Sequence, residues 1–287
     1  MPPVLVIARL TIQESSRRRL LLALLILTLL VVGFSAWGFN KITTVTQSDG
    51  TLLPPAQVAL ITSQLLIVVT FMFSGVLALS AAVVAGPLIS GEVESGLLLS
   101  MLARPVRRSE VVIGKWLGLG ALVALYAAAA GGAELLAVYW ATGYVPPHPV
   151  QLLIYVGAEG LILLSLGLLL STRLSGITAG VIALVTWLVA WIAGVVGDIG
   201  EGLQNDALKQ VGVISHLVLP SDGLWRGAIY AMEPDSLIAA LKALGTAGRA
   251  NPFAATDPPP LAFLAWVVIW FAIVLGLSVL SFRRREI

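Results

Sequence analysis

The 287-residue sequence contains no cysteine, which excludes disulfides, thiol catalysis and thiolate metal sites. Charge is scarce. Asp, Glu, Lys and Arg make up 11% of the chain, against about 25% in a soluble domain. A soluble chain that is 58% hydrophobic could not cover its own surface, so the bilayer is read as the solvent for much of it. The net charge of +2 gives no basis for nucleic-acid binding. Histidine is almost missing, with only His148 and His216. They are not paired on a helix as a membrane metalloprotease requires, and both fall outside the expected spans. Together with four methionines they make no metal-ferrying cluster. A phosphate loop is also lacking. Lys115 follows Gly114, but Ser109 stands where the first glycine is needed and Trp116 where the hydroxyl is. No catalytic residue, metal ligand or cofactor is therefore assigned. If ATP–Mg drives this protein, a separate chain must bind it.

What the sequence has in abundance is long apolar runs. A helix needs about 20 such residues to cross about 30 Å of hydrocarbon. Six stretches qualify: 20–39, 58–85, 111–141, 152–170, 177–196 and 261–282. The first is too long for a signal peptide and more follow it, so it reads as a retained span. The second and third exceed what a span needs and are expected to tilt or project. No internal repeat is visible. The expected fold is all-α integral membrane, one transmembrane domain over 1–287. Arg9, Gln13 and Ser16 recur at helical spacing among apolar residues, which predicts an interfacial helix over 4–19. Arg17, Arg18 and Arg19 then lie against anionic headgroups.

Two connections are long, 86–110 and 197–260. Only Lys41, Lys209, Arg226, Lys242 and Arg249, five of the 17 Lys and Arg, fall on the side of the second. The other twelve lie at the N-terminus, at the C-terminus and on the side of the first. The positive-inside bias puts both termini and 86–110 in the cytoplasm of a plasma or inner membrane. In the outer connection, ATDPPP precedes the last span, and its prolines cannot continue a helix. The stretch 216–232 is apolar enough to dip into the interface, with Ser221 or Asp222 as a candidate helix cap. A small extracytoplasmic subdomain is the other reading of that segment.

The inner connection reads ISGEVESGLLLSMLARPVRRSEVVIGKWLG over 89–118. Glu92 and Glu94 sit just below the second span. Residues 95–102 suit a short helix with Leu98, Met101 and Leu102 on one side, and Pro105 stops it. Arg104, Arg107 and Arg108 flank the stop. Ser109 is a good N-cap for the third span, with Glu110 in its first turn. Composition alone leaves open a docking element or a tight charged turn. The segment resembles the signature between the second and third spans of ABC type-2 exporter permeases, matching at Glu92, Glu94, Gly96, Leu98, Leu99, Leu102, Pro105, Arg108, Ser109, Gly114 and Lys115. Leu97 departs from it, where that family often has Thr. Arg9, Glu14 and Arg17 to Arg19 resemble the family's N-terminal elbow helix. The general look is closest to permeases of multicopper-enzyme or nitrous-oxide-reductase maturation.

That resemblance implies a permease that pairs with a second permease chain, as a homodimer, and docks a cytoplasmic ABC ATPase. It implies that Glu92, Glu94, Gly96, Leu98, Met101, Leu102, Arg104, Pro105 and Arg108 form an ATPase-coupling element. It also implies short re-entrant helices in the outer segment, where an extracytoplasmic accessory protein would have access. An ATP-independent secondary transporter or channel is the alternative. Paired broken helices in two similar halves would favour it, and none is seen.

Two acids fall inside spans. Glu134 lies eight residues before Thr142 and Glu159 eight after Gln151, each about 12 Å deep. Because a short loop joins their spans, they are expected to line one polar pathway, or else each to bond a neighbouring hydroxyl. Gly114 and Gly118, like Gly176 and Gly180, have the spacing that permits close helix packing.

Overall fold

The computed structural model describes residues 2–16, 19–46, 50–94, 107–245 and 251–285. Among them run eleven helices in chain order: α1 (Pro3–Ser16), α2 (Arg19–Ile42), α3 (Pro55–Ala85), α4 (Pro87–Glu94), α5 (Arg108–Thr142), α6 (Pro149–Ser171), α7 (Gly176–Gly202), α8 (Asp206–Val218), α9 (Ser221–Met232), α10 (Asp235–Ala243) and α11 (Leu261–Arg283). Six are long and apolar enough to cross a membrane: α2, α3 with α4, α5, α6, α7 and α11. The all-helical, six-span architecture is the one expected.

Proline places many of the boundaries. Pro3, Pro55, Pro87 and Pro149 each occupy a first helical position, where the missing N–H costs nothing. Pro87 also ends the straight run of α3, because it cannot donate back to the preceding turn. The chain nevertheless continues as helix through α4. The first residues of the expected loop 86–110 thus belong to a bent second span. The break sits against α7: a Cβ on Gly86 would run into the carbonyl oxygen of Gly176. Gly176 in turn rests on Pro87, and Gly180 on the carbonyl of Ala82, 3.0 Å from where its Cβ would be.

α5 begins one residue before the expected cap. Its N-cap is Arg107, whose backbone N–H donates to the Glu110 carboxylate at 2.8 Å. Glu110 closes the first turn from inside, so Ser109 is not needed there. At 35 residues α5 is about 50 Å long, well beyond a span. The extra turns carry α1. α1 buries Ile7, Ala8, Thr11 and Ser15 on α5 and leaves Leu5, Val6 and Leu10 exposed on its far side.

The fifth span runs to Gly202, six residues past its expected end. Gln204, at φ 52, reverses the chain, and the Asn205 side chain accepts from the N–H groups of Ala207 and Leu208. α8 then descends beside α7 with glycine against glycine, a Cβ on Gly197 falling 2.7 Å from the Gly212 Cα. Ser215 reaches the carbonyl of Ala190 (3.0 Å), and the Trp270 indole donates to the carbonyl of Val218 (2.8 Å). The bottom of α8 is thus level with the middle of α7 and α11. α9 returns through the bundle, buried on nearly every side, with Trp225 5.4 Å from Phe71.

Candidate functional site

Among the described residues, three groups of polar side chains stand out inside this apolar bundle. The first ties the helix ends on the side of α1 and α4. Lys115, in the third turn of α5, is 3% exposed. Its ammonium pairs with the Glu92 carboxylate and donates to the carbonyl of Leu88 at 2.7 Å. A buried ammonium is tolerable only with such partners. Arg108 reaches across to the last turn of α11, where Nη1 donates to the carbonyls of Phe282 (3.2 Å), Arg283 (3.1 Å) and Arg285 (2.6 Å). Arg285 does the same for α6, donating to the carbonyls of Ser171 and Thr172. These cations satisfy orphan carbonyls and sit at the negative ends of the helix dipoles.

The expected coupling residues divide accordingly. Glu92 and Arg108 hold the two ends of the connection to the spans, and Glu94 ends α4. Gly96, Leu98, Met101, Leu102, Arg104 and Pro105 lie outside the described residues.

The second group is the intramembrane acids, which the structure does not bring together. Glu159 is enclosed between α3, α6 and α7. Ser74 donates to one oxygen at 2.5 Å and the Trp187 indole to the other at 2.8 Å. Glu134 faces α2, where Ser35 donates to Oε2 at 2.8 Å. Its Oε1 is buried without a hydrogen-bond partner. Glu134 lines a cavity of about 650 Å³ between α2, α3, α5 and α6, and Glu159 is not part of that lining.

The third group was not foreseen. Asp222 was considered as a helix cap, but the N-cap of α9 is Pro220, without a side-chain cap. The Asp222 carboxylate instead accepts from Arg226 Nε (3.0 Å) and meets His216 Nε2 (2.9 Å). Arg226 also pairs with Asp198 on α7. The network ties α7, α8 and α9 together. Its one sequence cue was the i, i+4 spacing of Asp222 and Arg226.

The chain has six helices long and apolar enough to cross a membrane, and it matches a known family along nearly its whole length. The family described as ABC-2 family transporter protein matches residues 5–287. The chain belongs to that family. It is also 30% identical, over all of both chains, to the probable ABC transporter permease protein NosY of Pseudomonas aeruginosa. This ABC-2 protein is a multi-pass transmembrane permease subunit of an ABC transporter, whose complex includes an ABC ATPase. The ATP-independent alternative gives way to that membership.

Proposed function

We propose that this permease works as an exporter subunit, paired with a second copy of itself and driven by a separate ATPase that binds ATP–Mg. In this reading both termini and the connection between α4 and α5 face the cytoplasm of an inner membrane, as the distribution of Lys and Arg favours. The connection is the coupling element. The observation that carries this is the anchoring of both its ends: Glu92 is ion-paired to Lys115, and Arg108 is bonded to the end of α11. A segment fixed so close to three spans transmits displacement with little slack. Residues 95–105, with Leu98, Met101 and Leu102, then make the direct contact, while Glu92 and Arg108 brace it. Residues of the outer segment remain available to an accessory protein.

The test is reconstitution of the permease with its ATPase. Leu98→Asp is expected to abolish ATPase binding while the permease still dimerises. Glu92→Ala is expected to keep binding but lose the permease's effect on ATP turnover. Normal recruitment and turnover with Leu98→Asp would remove the segment from the coupling role.

A further inference from the structure

The cavity around Glu134 has the form of a ligand site. Its lining runs along α2 from Leu27 to Phe39 and along α5 from Tyr126 to Leu135. At 1.5 Å per residue these stretches are about 18 Å and about 14 Å long, the height of one leaflet's share of a hydrocarbon core about 30 Å thick. The volume of about 650 Å³ lies within the range usual for small-molecule sites. The cavity is open at the outer face of the bundle between α2 and α3, where Leu30, Phe34 and Met72 line it and are 65%, 73% and 66% exposed.

Polar groups are few along these walls. At one end the hydroxyls of Thr28 and Tyr126 satisfy each other at 2.7 Å. Ser35 is committed to Glu134 Oε2, and the Thr70 hydroxyl donates to Met232 Sδ at 3.4 Å. That leaves Glu134 Oε1, buried and without a partner. A carboxylate oxygen in such surroundings is costly unless a donor meets it. An ammonium is the strongest such donor, because the bond is charge-assisted. Glu134 also lies six residues before Trp140, which is 83% exposed and marks the interfacial level. The carboxyl is therefore about 9 Å below that level. A phosphodiester headgroup would have to bring its negative charge down with it. A simple primary amine would not.

We propose that this cavity binds a long-chain amine, its hydrocarbon chain lying along α2 and α5 and its ammonium against Glu134 Oε1. The assignment concerns binding to the permease itself and stands apart from the ATPase coupling proposed above.

The test uses the purified full-length chain in phospholipid nanodiscs and a diazirine-bearing tetradecylamine, with a diazirine-bearing tetradecane as the tail-matched neutral probe. The amine is expected to label α2 and α5 at the cavity lining. Gly38→Phe should abolish this labelling. Gly38 lines the cavity and a Cβ there meets nothing within 4 Å, so the ring fills the site without disturbing the backbone. Gly33→Phe, on the same helix, exposed and equally free of neighbours, should label as the wild type does. Glu134→Gln should weaken amine binding about tenfold and leave the neutral probe unchanged. Labelling that survives Gly38→Phe would overturn the site. Amine binding that Glu134→Gln leaves intact would overturn the role of the carboxylate. Amine adducts spread over the lipid-exposed surface with none at the cavity lining would overturn the ligand.

Discussion

Glu92 and Lys115 form an ion pair in which the two partners are buried to different degrees, the lysine side chain 4% and the glutamate side chain 18% exposed. Removing one partner of a buried pair strands the other, at about 3–5 kcal/mol. The more deeply buried partner costs more when stranded. Glu92→Ala is therefore expected to lower the thermal unfolding temperature in detergent more than Lys115→Met does. The exchange Glu92→Lys with Lys115→Glu is expected to recover part of the loss. Recovery stays partial, because the Lys115 ammonium also serves the carbonyl of Leu88 and a carboxylate cannot. Equal losses from both single changes, with no recovery in the double, would mean that the pair does not brace the connection.

Asp222 is pressed onto α7 at a single residue. A Cβ on Gly194 would run into Oδ2 of Asp222, and that oxygen is held in place by Arg226 and His216. Yielding would cost the carboxylate those two contacts. Gly194→Ala is expected to displace α9 and destabilise the chain by several kcal/mol, of the order of severe overpacking. Asp222→Ala alone should cost less, because Arg226 keeps Asp198. The double variant should be more stable than Gly194→Ala, which is a non-additivity that unfolding of the four proteins in a mutant cycle would measure. Strict additivity would refute the contact.

The six spans were legible because each is a long apolar run, and membrane thickness sets the length that such a run must reach. Their ends were less so. The second span runs on past Gly86 as α4, because a proline at a first helical position bends a helix without having to stop it. The fifth span runs to Gly202, because α8 folds back against it and packs on Gly197 and Gly200. The Gly114/Gly118 and Gly176/Gly180 spacings were visible, but their partners were not: α1 for one pair, the α3–α4 bend for the other. The outer network escaped notice because Asp198, His216 and Asp222 sit on three helices, and nothing along the chain places them together. Arg108 stood out as a basic residue near the expected coupling helix. That it caps α11 depends on a contact 174 residues away in sequence.

Glu233 supplies a pH dependence. It sits between α9 and α10, outside the spans and fully buried. Burial pushes its carboxyl up from 4.5 to about 7, with the Ala255 N–H pulling the other way. An acid whose folded pKa is raised holds its proton more tightly when folded. Its contribution is fully present below the unfolded value of 4.5 and is lost as pH rises through about 7. Thermal stability is therefore expected to decline across that window, and Glu233→Gln should flatten the decline. Tryptophan fluorescence during heating at stepped pH reads it out. A Gln variant with the same slope as the wild type would assign the dependence to another group.

The last prediction concerns α1, which rests on α5 through two glycines. A Cβ on Gly114 would lie 2.8 Å from the Cβ of Ile7 and 2.9 Å from the carbonyl oxygen of Val4. A Cβ on Gly118 would lie 2.6 Å from the carbonyl oxygen of Ala8 and 2.9 Å from the Cβ of Thr11. Most of these obstacles are backbone or the first side-chain atom, which no rotamer change can move. Gly118→Leu must therefore push α1 away as a unit. α5 itself should not suffer, since leucine is a better helix former than glycine by somewhat under 1 kcal/mol. The effect is expected to be selective. Hydrogen exchange in the amides of 4–16 should rise by an order of magnitude or more, while those of α5 and α6 keep their protection. Gly132→Leu is the matched control, on the same helix with nothing within 4 Å of its Cβ, and should leave exchange in α1 unchanged. If α1 stays protected in Gly118→Leu, its hold on the bundle does not lie in the glycine face of α5.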